Sequence, residues 1–177
     1  PAPENKGVVA LKNATIHVGN GQVIQNGTII INGSKIEKVG SNLPVPADAK
    51  AYDLAGKQVY PGLISPITNL GIRDVNGMVP GTDDYSELGD INPSIRAIVA
   101  YNTDNHVINV LRNNGILLAN VIPQHDSRGS QLISGTSTVV QLDAWNWEDA
   151  AYKMDGQMHI NMPSLMPRRM MFFGGVC

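Results

Sequence analysis

The chain has 177 residues, a formal net charge of −2, and 42% hydrophobic against 16% charged residues, the balance of a globular chain of one to one and a half domains. Its lysines and arginines form no stripe of the kind that neutralises phosphates, and no apolar run reaches the roughly 18 residues of a membrane span, which argues against nucleic-acid partners and a spanning helix. The single cysteine, Cys177, excludes an internal disulfide.

Residues 1–7 read as a loose lead-in with two prolines. Val8 to Val18 is the first β region. Val23-Ile24, Thr28 to Ile31 and the alternating run Lys35 to Val39 follow. Asn20-Gly21, Asn26-Gly27 and Asn32-Gly33 fall between these runs. Asn-Gly accepts positive φ at both central turn positions, so the spacing predicts an antiparallel meander with three hairpin turns. Gly40 to Lys50 is a loop, and Ala51 to Leu54 and Gln58 to Tyr60 are further short strands. Leu63 to Ile67 is a strand entered through the Pro61-Gly62 bend.

Gly71 to Asn92 is a long polar connection holding the carboxylates Asp83, Asp84, Glu87 and Asp90, a solvated loop without calcium-loop spacing. A short helix is predicted from Pro93 within Ile91–Tyr101, and a second over Thr103–Asn113, where Val107, Ile108, Val110 and Leu111 make an apolar face and Gly115 a stop. Ile116 to Ile122 is apolar enough for a strand buried on both faces, so Leu63–Ile67, the helix and this strand read as a βαβ unit. Ser134 to Asp143 reads as turn plus strand, and Trp145 to Ala151 as a short helix or packed turn. Trp145 and Trp147 read as packing or interface residues in preference to a sugar platform. Six of the seven methionines fall between Met154 and Cys177, a tail with no clear period.

Gly56-Lys57-Gln58-Val59-Tyr60-Pro61-Gly62-Leu63-Ile64 resembles the lead-in to the first barrel strand of the amidohydrolase superfamily. Asn13 to Ile16, Asn26 to Ile31, Lys35 to Gly40 and Asp53 to Lys57 resemble, in that order, the small β-sandwich of the same proteins. Gly115 to Ala151, through Gly-Ile-Leu-Leu-Ala-Asn-Val-Ile-Pro, Ile-Ser-Gly-Thr-Ser and Leu-Asp-Ala-Trp-Asn-Trp-Glu-Asp, resembles the branch related to imidazolonepropionase.

The resemblance implies a mixed β and α/β fold. A β-sandwich segment over residues 1–62 would be followed, over 63–177, by the first βα units of an incomplete (β/α)8 barrel, with 154–177 a poorly defined tail. Leu63 to Cys177 is too short for the roughly 200 residues that a whole barrel needs. The expectation is therefore a fragment whose partner is the remainder of the barrel or other subunits of an assembly. The function implied is metal-dependent hydrolysis of non-peptide C–N (amide) bonds in a small-molecule substrate, with zinc the expected metal of the full protein.

In that family the first strand continues Asp-x-His-x-His, and its histidines bind the metal. Here Ser65 stands for the aspartate, and Ile67 and Asn69 for the histidines. An isoleucine has no lone pair to offer, and an amide oxygen is a poor zinc ligand beside imidazole. No metal ligand, catalytic residue or cofactor is therefore assigned to this chain, which on its own is expected to be inactive. A non-catalytic relative, a pseudoenzyme serving as a binding or assembly subunit, is the alternative.

His17, His106, His125 and His159 show no metal-ligand spacing. His17 reads as structural and His106 as solvated. His125, Asp126 and Arg128 follow the Ile116–Ile122 strand, at the strand end where barrels carry substrate-face loops. A start at Pro1, not Met, fits a processed N-terminus, and with the export signals frequent in this branch it suggests a periplasmic or secreted protein.

Overall fold

A computed structural model of the chain describes residues 5–73, 86–87, 89–124 and 131–162. Its contacts gather into two compact units, Pro1–Leu63 and Ile64–Cys177.

In the first unit β1 (Val8–His17), β2 (Val23–Asn32) and β3 (Lys35–Ser41) form an antiparallel meander. β4 (Lys50–Asp53) and β5 (Gln58–Val59) then pair in parallel with successive stretches of β1. The sheet order is β3-β2-β1-β4, with β5 also on β1. Alternate residues of the central strands meet on one face, where Ala14, Ile16 and Ile29 are buried against Ile24, Leu54 and Val59. A single five-stranded sheet of this kind is consistent with the sandwich segment expected from the sequence.

Asn20-Gly21 and Asn32-Gly33 lie at strand junctions, as their chemistry predicts. Asn26-Gly27 does not make a turn. It lies inside β2, where Gly27 faces Ala14 and the β1–β2 register shifts on both sides of that pair. Asn13 and Asn26 take positive φ there, 61° and 50°. The dipeptide serves a β-irregularity, and a side chain at residue 27 would run into Ile16.

The second unit holds β6 (Leu63–Thr68), a 3-10 turn (Ala97–Ala100), α1 (His106–Asn113), β7 (Ile116–Val121), β8 (Ile133–Thr136), β9 (Thr138–Gln141), α2 (Trp147–Ala150), β10 (Ala151–Lys153) and β11 (Met158–Ile160). β6 and β7 are neighbours in a sheet of order β10-β9-β7-β6, with α1 between them in sequence. Beyond β7 the expected succession of βα units is not what the sheet shows. β9 runs antiparallel to β7, and β10 antiparallel to β9. A parallel neighbour needs a crossover of a dozen or more residues, usually a helix. The described residues between β7 and β9 instead form β8, which pairs with β11 in a separate two-stranded ribbon. Part of the methionine-rich tail is thus a strand, and residues 163–177 lie outside the described residues.

Helix α1 is shorter than its apolar pattern suggests, because Asn105 caps it. The Asn105 side chain accepts from the Val107 amide, and starting at Thr103 would forfeit that bond. The helix expected from Pro93 is reduced to the 3-10 turn. Residues 91–96 run beside β8 instead, bridging Ile91 to Ile133 and Arg96 to Thr136. The core of this unit joins Leu70, Ile98, Ile108, Val121, Val140 and Ala150. Among the described residues no helix is long and apolar enough to cross a membrane.

Candidate functional site at the ends of β6 and β7

Strand β6 leads into a tight turn. The Thr68 hydroxyl accepts from the Leu70 amide, and the Asn69 carbonyl accepts from the amides of Ile72 and Arg73. The Ile122 amide donates to the Thr68 carbonyl at 2.9 Å, which brings the end of β7 alongside. Leu70 lies in the core with Val121. Ile67 lies in β6 and Asn69 in the turn beyond it, and neither belongs to that core.

Ile67 is 69% exposed. Asn69 is half-buried, and its Nδ2 donates to Gln124 Oε1 at 3.5 Å. The residues brought together here are thus two neutral carboxamides beside an aliphatic side chain. Zinc wants imidazole, thiolate or carboxylate donors, several of them converging. Among the described residues no three His, Cys, Asp or Glu side chains gather as a metal site would require. The donor set at the end of β6 does not fit a catalytic metal.

The remaining histidines are scattered. His17 stacks on Tyr60 with ring centroids 4.2 Å apart, and its Nε2 lies 2.6 Å from Gln58 Oε1. His106 is the exposed first residue of α1. His159, on β11, has a buried Nε2 without a hydrogen-bond partner, and burial lowers its pKa from the ordinary value of 6.5. His125, Asp126 and Arg128, expected on a substrate-face loop, lie outside the described residues, as do Asp83 and Asp84. Glu87 is exposed, and its carbonyl accepts from Gln131 Nε2. Two backbone amides, those of Leu132 and Ile133, donate to the Asp90 carbonyl. Trp145 is 76% exposed, and its amide donates to Asp149 Oδ2.

Sequence reasoning gave no role to Gln124, the partner of Asn69, or to the polar set of buried Gln131 and Ser134 with half-buried Asn161. Asn161 Nδ2 donates to Ser134 Oγ at 2.6 Å and to the Gln131 carbonyl at 3.1 Å. Ser134 stands in the Ile-Ser-Gly-Thr-Ser stretch, but its partner is 27 positions away, so the local pattern did not show the contact. Tyr101, also unmarked, is buried in the core, and burial pushes its phenol up to about 12.

No family model matches the chain. The crystal structure of an amidohydrolase from Thermotoga maritima MSB8 superposes with a TM-score of 0.76 at 22% identity, covering 86% of this chain and 38% of that one. The fold is one shared with an amidohydrolase. In sequence, the curated amidohydrolase tasK of Hapsidospora irregularis is 24% identical over 144 residues, 79% of this chain and 14% of that protein. Both of these relatives are named amidohydrolases. The chain spans well under half the length of either one.

Proposed function

We propose that this chain is part of a longer amidohydrolase-fold protein that hydrolyses non-peptide C–N bonds in cyclic or linear amides. The observation that supports this most is the superposition on the Thermotoga amidohydrolase, which extends over 86% of the chain. The named amidohydrolase relative and the Pro61-Gly62-Leu63-Ile64 lead-in into β6 support the same reading from sequence. Within that group we favour the branch related to imidazolonepropionase, on the motifs Gly115 to Pro123 and Ile133 to Ser137.

In this reading the chain contributes architecture. It supplies the sheet of the first unit and the β6–β7 pair, while the groups that activate water and polarise the amide come from other parts of the protein. Ile67 and Asn69 do not take part in holding a metal, and no step of the reaction runs through them.

The test is an assay of the full-length polypeptide against hydantoins, lactams, imidazolones and N-acyl amines, with unmodified peptides as the comparison. Release of amine or ammonia from at least one non-peptide amide is expected. Cleavage of peptides alone, or of none of these compounds by a folded protein, would contradict the proposal.

A further inference from the structure

The core side of the β10-β9-β7-β6 sheet holds a second feature. The 3-10 turn packs there, since Ala97 and Ile98 share a core with Val121 and Val140. Between this turn and the chain leaving β6 and β7 lies a cavity of about 220 Å3. Ile72, Ile95, Ala97 and Pro123 give it apolar walls. Ile72 shares the core with Ile98 and Val121, so the cavity adjoins that core.

Two charged residues border the cavity, Arg96 and Glu87. The Arg96 guanidinium is already committed. Its Nε donates to Asp155 Oδ1 at 2.6 Å and its Nη2 to Asp155 Oδ2 at 2.9 Å, a bidentate pair that leaves no call for an anion. Glu87 differs. Its carboxylate has no ion pair or hydrogen bond among the described residues. Its backbone is nonetheless held, because the Gln131 side chain, in a residue only 2% exposed, donates to the Glu87 carbonyl at 3.4 Å. An apolar pocket whose rim carries a carboxylate without a partner among the described residues favours a cation with an apolar body.

We infer that this cavity, walled by Ile72, Ile95, Ala97 and Pro123 with Glu87 at its rim, binds a small protonated organic amine of single-ring size. A dry apolar cavity of about 150 Å3 is enough for benzene, so the volume here admits one six-membered ring with a short aminoalkyl arm. The inference is independent of the hydrolase reading, since the cavity is lined by neither Ile67 nor Asn69.

The probe is benzylamine, titrated into the 177-residue chain and followed by two-dimensional 1H–15N NMR, with benzyl alcohol and benzoate as comparisons. Saturable shifts are expected at the amides of Ile72 and residues 95–100. Benzylamine should bind about fivefold more tightly than benzyl alcohol, the scale of one solvent-exposed ion pair, and benzoate more weakly than either. Glu87→Gln, isosteric and on an exposed residue, should abolish the preference for the amine while leaving the remaining spectrum in place. Ser94→Trp, at the exposed rim, should block both neutral and cationic probes. Absence of saturable shifts at these residues, benzoate binding equal to benzylamine, or an amine preference that survives Glu87→Gln would each overturn the inference.

Discussion

Gly135 shows how a single residue can be needed for its missing side chain. Its φ is +119°, and a Cβ built there would lie 2.5 Å from the Ile95 carbonyl oxygen, a backbone atom that cannot rotate away. The same carbonyl accepts from the Thr136 amide at 2.8 Å, so the close approach holds residues 91–96 against β8. Gly135→Ala should destabilise the second unit by about 2–4 kcal/mol, the sum of positive-φ strain and overpacking. Chemical denaturation read in that unit measures it, and a change below half a kcal/mol would refute the packing argument. Gly135 stands in the Ile-Ser-Gly-Thr-Ser stretch noted in the sequence, but its reason was illegible there, because Ile95 is forty residues away.

His159 gives the pH dependence. Burial lowers its pKa, so as pH falls below 6.5 the unfolded chain takes up a proton here more readily than the folded chain does. The contribution to stability is therefore present above pH 6.5 and is lost as pH falls through the depressed value. The melting temperature of the wild type should drop more between pH 7.5 and pH 5 than that of His159→Gln. Equal drops would assign the acid sensitivity to other groups.

At the scale of elements, the strongest local signals were the most legible. The strands of the meander, the turns at Asn20-Gly21 and Asn32-Gly33, and the apolar run of β7 all follow from two-residue alternation and turn chemistry. Asn26-Gly27 carries the same dipeptide yet folds as a strand irregularity, because its partner Ala14 on β1, not the local sequence, decides which use prevails. The reversal after β7 was hidden as well. The run was read as buried on both faces, whereas Leu117 is 50% exposed beside the antiparallel β9.

Helix α1 is an element whose start depends on one side chain. Asn105 accepts from the Val107 amide at 3.0 Å, and its Nδ2 donates to the Arg73 carbonyl at 3.2 Å, tying the cap to the turn after β6. Asn105→Ala should cost about 1–2 kcal/mol by removing the cap and leaving a half-buried carbonyl without this donor. Hydrogen exchange at Val107 and Ile108 should accelerate accordingly. Unchanged exchange there would mean that the helix start is held by packing alone.

At the scale of the whole molecule, the meander of the first unit was legible from local pattern, apart from Asn26-Gly27. The Pro61-Gly62 lead-in carried a resemblance, and with it the expectation that Ile67 and Asn69 stand where that family has metal ligands. In the structure Ile67 is exposed without a donor atom, and the Asn69 amide donates to Gln124. The loop residues His125, Asp126 and Arg128 stay an expectation from their position after β7. The cavity near Glu87 had no signature in the sequence, since its lining comes from separated segments that only the fold assembles.

The central claim is that the end of β6 holds no metal in a protein that otherwise shares an amidohydrolase fold. Elemental analysis of the full-length polypeptide, purified without chelators, tests it most directly. The account predicts at most one equivalent of transition metal per polypeptide, unchanged in stoichiometry by Ile67→Ala and Asn69→Ala. Two equivalents, with one lost on either substitution, would contradict it.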